Sequence, residues 1–177
     1  MFLTTEKIEK RHKELSKSKF EMIEPLNHWY FIEDKNNALQ SPPETSSTSP
    51  AAAIGDEWSG RDQYFWLINN IKIPEIKNKN LMVYFDIGRT NSGNNSGYES
   101  LLFINGKEVQ ALDSNHPVYF IPEELQNTSV SIAIRLWSGL EGGGPKKIQN
   151  HRLENTYLGI HHQYIHKLST QIEMALK

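Results

Sequence analysis

A chain of 177 residues is long enough to bury about 70% of the surface its unfolded form exposes, so one well-packed core is expected and a second domain is not. Its formal net charge of -2 provides no basic excess to follow a phosphate backbone, which argues against nucleic acid as a partner. The absence of cysteine excludes disulfides, a thiolate nucleophile and cysteine-ligated zinc.

The opening "MFLTTEKIEKRHKELSKSKF" is too charged to hold the apolar run of a signal peptide. No later segment approaches the apolar length of a membrane span, so a cytoplasmic chain with no membrane partner is expected. From Thr5 to about Lys17, Ile8, His12 and Leu15 follow helical spacing, with Glu6–Lys10 and Glu9–Lys13 as favourable i,i+4 pairs. The apolar stripe is narrow, as on a solvated surface helix. From Asp34 to Ile54, "DKNNALQSPPETSSTSPAAAI" has no periodic pattern, and a long mobile loop contributing little core is expected there.

Beyond it the period becomes two. "QYFWLINNIKI" sets Tyr64, Trp66 and Ile68 against Phe65, Leu67, Asn69 and Ile71. "NLMVYFDI" puts Leu81, Val83, Phe85 and Ile87 on one face and Met82, Tyr84 and Asp86 on the other, the pattern of a half-buried antiparallel strand. In "LLFINGKEVQ", Asn105-Gly106 is a strong hairpin signal, because both residues tolerate the positive φ of a type I′ turn. "HPVYFIP" adds a strand, and Pro122 to Leu125 suggest a single helical turn. In "SVSIAIRLW", Val130, Ile132, Ile134 and Leu136 alternate with Ser131, Ala133, Arg135 and Trp137. "HRLENTYLGI" reads as the last strand, and in "HHQYIHKLSTQIEMALK" Ile165, Leu168, Ile172, Ala175 and Leu176 mark one helical face. That helix ends with the chain and without a glycine or proline stop signal, which suggests that the polypeptide continues.

The expected fold is therefore all-β, an antiparallel sandwich or jelly roll with a short helix at each end. Its parts are a helical segment over 1–20, the sandwich over 21–160 with the loop near 34–54, and the terminal helix over 161–177.

Candidate chemistry is sparse. His162 and His166 stand at i,i+4, the spacing of a shared metal, but "HQYIH" supplies no carboxylate between them, and solvated histidines account for the pair better. Asp113, Asn115 and His116 in "DSNHP" could gather an acid and a base, yet short polar residues before proline are ordinary turn chemistry. Glu57, Asp62, Asp86, Glu99 and Asp113 lie near strand ends, and carboxylate spacing is not legible from sequence. Trp58, Trp66 and Trp137 could form a sugar-stacking platform; an alternating strand favours the core for Trp66, while Trp58 and Trp137 adjoin loops.

The connector "GRTNSGNNSGYES", from Gly88 to Ser100, is far longer than a hairpin needs. Gly88, Gly93 and Gly97 permit sharp bends, and Arg89, Asn91, Asn94 and Asn95 offer hydrogen bonds with no apolar anchor, so they are expected to meet a neighbouring domain, a second subunit or a sugar hydroxyl. A domain or subunit is favoured, since only Tyr98 lies beside the loop as an aromatic platform. The segment "SGLEGGGP" after Trp137 is expected at the same end of the sandwich.

"GDEWSGRDQYFWL", "IPE", "FDIGRTNSGNNSGYESLLFINGKEVQALDSNHPVYF" and "RLWSGLEGGGP", in this order and spacing from about Gly55 to Pro145, together with the opening "MFLTTEKIEKR", resemble the N-terminal region of bacterial family 38 glycoside hydrolases, the α-mannosidases. The resemblance implies a galactose-binding-like β-sandwich that precedes a separate zinc-dependent catalytic domain. Its implied partners are that catalytic domain, a second subunit of the parent enzyme, or an α-mannoside. The parent reaction it implies is retaining hydrolysis through a covalent glycosyl intermediate, with a His-x-Asp zinc motif and an aspartate nucleophile. None of the seven histidines here has aspartate two residues on, so no catalytic residue and no cofactor is carried over to this chain. The alternative to such an accessory domain is an independent carbohydrate-binding module, and the residues offered for interdomain or sugar contact are Arg89, Asn91, Asn94, Asn95, Tyr98 and Trp137.

Overall fold

The computed structural model describes residues 4–88, 97–140 and 148–177. Twelve strands among these residues form antiparallel sheets: β1 Phe20–Pro25, β2 His28–Asp34, β3 Ala51–Ala53, β4 Glu57–Gly60, β5 Tyr64–Lys72, β6 Asn80–Asp86, β7 Glu99–Ile104, β8 Lys107–Leu112, β9 Val118–Phe120, β10 Ser129–Trp137, β11 Gln149–Arg152 and β12 Asn155–His161. Helix α1 spans Thr4–Ser16 and α2 spans Gln163–Leu176. One sheet has the order β1-β12-β6-β9, a second β3-β2-β5-β10-β7-β8, and β11 pairs with β4. This is the antiparallel β-sandwich with terminal helices expected from the alternating pattern.

The alternation of two decides the layers, because each strand lends every other side chain to the interior. Leu81, Val83, Phe85 and Ile87 of the β6 segment meet Val130, Ile132, Ile134 and Leu136 of β10 in one buried cluster, joined by Phe65, Leu67, Leu102 and Leu158. Trp29 closes the cluster near Leu26; its indole Nε1 donates to the Leu26 carbonyl at 2.8 Å and to Thr156 Oγ1 at 3.1 Å. Asn105 and Gly106 take φ of 50° and 77°, the left-handed pair of a type I′ turn, and join β7 to β8 with Ile104 opposite Lys107.

Several elements differ from the expectation. Residues 20–33 form two strands whose pattern is not apparent in the sequence: β1 is an edge strand with almost every side chain exposed. The segment 34–54 is not wholly without structure or core. It contains a 3-10 turn at Lys35–Asn37 and strand β3 on β2, and Leu39 packs on a second buried cluster of Trp66, Ile68, Phe103 and Ala133. "HRLENTYLGI" holds two strands, because Leu153 and Glu154 break the run and bond back to Asp56 and Asp86. Met82 is fully buried rather than half-exposed: Gly159 lies opposite it in the ladder, and the absent side chain leaves room for the thioether.

On α2 the buried position is Ser169; Ile165, Ile172 and Leu176 of the expected face are half-buried beside it, whereas Leu168 is 49% exposed and Ala175 is exposed, so Ser169 takes the place expected for Leu168. The reason is the neighbour. Ser169 Oγ lies 2.8 Å from Ser16 Oγ and 3.0 Å from His12 Nε2, and the two helices pack side by side. Among the described residues no helix is long and apolar enough to cross a membrane.

Candidate functional site at one end of the six-stranded sheet

The outer face of the six-stranded sheet changes character along its strands. Cross-strand registers place Tyr30, Ile68, Ala133 and Phe103 in one row, Ile32, Trp66, Arg135 and Leu101 in the next, and Asp34, Tyr64, Trp137 and Glu99 in the last. The first row is apolar. The second introduces one guanidinium, and the third carries two aromatics between two carboxylates. The last row is the least buried on β5: Ile68 and Trp66 are buried and Tyr64 is half-buried, and on β10 Ala133 is buried while Arg135 and Trp137 are half-buried.

Arg135 organises this end. Its Nη2 donates to Asp34 Oδ2 at 3.4 Å and to Asn37 Oδ1, and its guanidinium carbon lies 4.9 Å from the Tyr64 ring centroid and 5.7 Å from that of Trp66. The charge is thus held by a carboxylate and by two ring faces, both of which compensate a partly desolvated cation. Asp34 in turn accepts the backbone N–H of Ala38 and Leu39 through Oδ1, which ties the start of the 34–54 segment to the sheet. Trp137 stacks beside Tyr64, with centroids 6.5 Å apart at 29°, and its Nε1 donates to Asp62 Oδ1 at 3.0 Å.

A clasp fixes the ends of β5 and β10 together. Ser138 N–H donates to the Gln63 carbonyl, Gln63 N–H to Ser138 Oγ, and Asp62 N–H to the Gly139 carbonyl, all within 3.0 Å. Two hollows flank Tyr64: one of about 480 Å³ beside Asp34, Asn37 and Asp62, and one of about 220 Å³ bounded by Glu99, Leu101, Arg135 and Trp137.

Of the six residues expected at an interdomain or sugar contact, Arg89, Asn91, Asn94 and Asn95 lie outside the described residues. Trp137 stands at the site just described. Tyr98 does not: it is 5% exposed, and its ring packs edge-on to Trp58 at 5.9 Å and to His151 at 5.3 Å. The correction follows from its place one residue before β7, where the side chain turns into the core.

Of the other aromatics considered, Trp58 and Trp66 are buried. Gly97 and Gly139 touch: a Cβ on Gly139 would lie 2.4 Å from the Gly97 carbonyl oxygen. The described flanks of the two glycine-rich segments therefore meet at one place.

His151, which carries no signal in the sequence, is 2% exposed and stacks on Trp58 at 4.0 Å. Burial pushes its imidazole below the usual histidine range, and the Ser138 backbone opposes this only in part. His162 pairs with Glu21 at 3.0 Å, whereas His166 Nδ1 lies 2.9 Å from His161 Nε2, so the two helix-spaced histidines engage different partners. Among the described residues no group of three potential ligands is placed to hold a metal ion.

Asp113 accepts the backbone N–H of Asn115 and His116, the turn chemistry expected of "DSNHP". Burial alone would raise its carboxyl, but these bonds and His116 hold it below the usual carboxylate range.

No protein-family model and no curated protein matches the chain. Its fold is similar to part of several solved glycoside hydrolases. A β-glucuronidase of Bacteroides uniformis aligns with TM-score 0.56 at 14% identity, over 80% of this chain and 18% of that one. A Ruminococcus gnavus β-glucuronidase aligns with TM-score 0.53 at 12% identity, over 81% of this chain and 29% of the other. A Faecalibacterium prausnitzii β-glucuronidase aligns with TM-score 0.52 at 9% identity, over 81% and 32%. At such identities the likeness establishes the fold. The chain spans at most about a third of the length of these enzymes, so it corresponds to one part of them.

Proposed function

We propose that this chain is a non-catalytic accessory domain of a glycoside hydrolase, specifically the N-terminal β-sandwich of a family 38 α-mannosidase. In this reading the parent polypeptide hydrolyses terminal α-mannosides in a separate catalytic domain, where the zinc and the nucleophile reside. The sandwich packs on that domain or on a second subunit through the end where Gly97, Gly139 and the Asp62–Trp137 hydrogen bond come together. The observation that carries the coarser reading is the match of this fold to a fraction of three glycoside hydrolases. The finer one rests on the residues from Gly55 to Pro145 and their resemblance to the mannosidase family.

A second reading, an independent carbohydrate-binding module, is favoured by one feature, the half-buried Tyr64–Trp137 pair beside Arg135.

The test separates domain from enzyme. The 177-residue chain is assayed with aryl α-mannoside, alongside a full-length polypeptide in which Arg89 to Ser96 are replaced by a short Gly-Ser turn. The expected result is no sustained hydrolysis by the chain, and altered activity or oligomeric state in the replaced polypeptide. Hydrolysis by the purified chain, or a replacement that leaves activity, assembly and melting temperature all unchanged, would overturn the reading.

A further inference from the structure

We infer that the hollow bounded by Tyr64, Trp137, Arg135 and Glu99 is a binding site for one neutral pyranose. The inference deepens the carbohydrate reading above and rests on it only for the class of parent protein. Its main support is Arg135, which lines the hollow and whose Nε is buried with no hydrogen-bond partner among the described residues. Trp66 Nε1, opposite it on β5, is also unpaired but does not line the hollow. A buried unpaired donor calls for a specific reason, and for Arg135 a ligand oxygen at the guanidinium supplies one.

The surroundings select the ligand. Trp137 and Tyr64, both half-buried, line the hollow and supply aromatic surface of the kind on which the C–H side of a sugar ring stacks, with the Tyr64 face toward Arg135 taken by the guanidinium; Asp62 fixes the indole through the 3.0 Å bond to Nε1. Glu99 stands opposite Trp137 in the ladder and is exposed, so its carboxylate accepts hydroxyl protons while Arg135 donates to hydroxyl oxygens. Among the described residues lining the two hollows beside Tyr64, four are acidic (Glu33, Asp34, Asp62, Glu99) and two are basic (Lys35, Arg135). Since Asp34 already neutralises Arg135, the remaining field repels a carboxylate. A neutral sugar fits this balance better than a uronic acid. The hollow of about 220 Å³ limits the ligand to about one ring, with the wider hollow on the far side of Tyr64 open to an aglycone or a second sugar.

The probe is methyl α-D-mannopyranoside titrated into the full 177-residue chain, with glucuronic acid as the charged comparison, read by calorimetry and saturation-transfer NMR. Saturable binding of the mannoside with weaker or no binding of the uronate is expected. Trp137→Ala should weaken it about tenfold and Glu99→Gln about threefold, with Phe120→Ala on the four-stranded sheet as an unaffected control. Glu99 is exposed, so its variant keeps the test decisive if Trp137→Ala fails to fold. No saturable binding, preference for the uronate, or affinity unchanged in the folded Glu99 and Trp137 variants would overturn the site. Loss of the site would leave the accessory-domain reading standing if the full-length polypeptide still hydrolyses α-mannosides. Binding without that activity would refute the reading and keep the site.

Discussion

Replacing Gly139 by alanine tests whether the flanks of the two glycine-rich segments meet as described, and Gly106→Ala provides the internal reference. Both glycines have positive φ, 84° and 77°, so either substitution places an L-residue in the left-handed region at a cost of about 1–2 kcal/mol. They differ in surroundings. A Cβ on Gly106 meets nothing within 4 Å, whereas one on Gly139 lies 2.4 Å from the Gly97 carbonyl oxygen and 3.3 Å from its carbon. That contact is with backbone, not with a side chain that can rotate away, so the segment from Trp137 to Leu140 must move off Gly97 or the Asp62–Gly139 and Gln63–Ser138 bonds must loosen. Each such bond is worth about 0.5–1.5 kcal/mol net, which puts Gly139→Ala roughly 1–3 kcal/mol beyond Gly106→Ala. For a chain of this size the extra loss lowers the melting temperature by about 2–4 °C per kcal/mol. Thermal unfolding followed by circular dichroism, with urea midpoints as a second measure, reads the difference. If the two variants melt within a degree of each other, the Gly97–Gly139 contact does not hold the protein together there, and the loop ends do not converge as argued.

Other consequences follow from single contacts. Asp34→Ala leaves the Arg135 guanidinium without its carboxylate in a largely buried setting and should cost about 3 kcal/mol or more in urea unfolding; a loss under 1 kcal/mol would show that the pair is not formed. His151 is held below the usual imidazole range, so the unfolded chain takes up a proton near pH 6.5 that the folded chain does not. Stability is therefore fully present above that pH and is lost as pH falls below it. His161 and His166, also lowered, first by burial and then by cationic neighbours, act in the same direction. His151→Phe keeps a ring against Trp58 and should flatten the acid-side decline between pH 7 and 5; an unchanged slope would remove His151 as its source. Ser169→Ala removes the hydroxyl shared by Ser16 and His12 and should cost about 1 kcal/mol, detectable as earlier amide exchange in α1 and α2 than in the sheets; equal exchange would show that the serine contributes nothing to the helix pair.

The strands legible in the sequence are those with one dry and one wetter face. In β6 and β10 the period of two is long enough to be read, and Leu81, Val83, Phe85, Val130, Ile132, Ile134 and Leu136 lie in the core as the pattern selects, although Met82 and Ala133 are buried on the other face as well. Strand β1 is not legible because "FEMIEP" is an exposed edge ending in proline, and β4 and β11 are four-residue strands whose pairing with each other, rather than their composition, makes them strands. Tertiary context also decides α2, where Ser16 and His12 recruit Ser169 instead of the more apolar Leu168.

The site divides along the same line. Tyr64, Trp137 and Arg135 appear in the sequence as the outward side of two alternating strands, but only the register brings them into adjacent rows and sets Glu99 at the end of one. Asp34 falls at the edge of a segment with no pattern, and its role depends on two backbone amides four and five residues on and on a guanidinium from β10 that only the fold brings near. The side of a sandwich that carries function is the side where the alternation is broken by groups too polar to bury and too constrained to leave. On this chain the candidate is the row from Asp34 to Glu99, where Tyr64 and Trp137 stand between two carboxylates and the Arg135 guanidinium of the adjoining row lies against Tyr64.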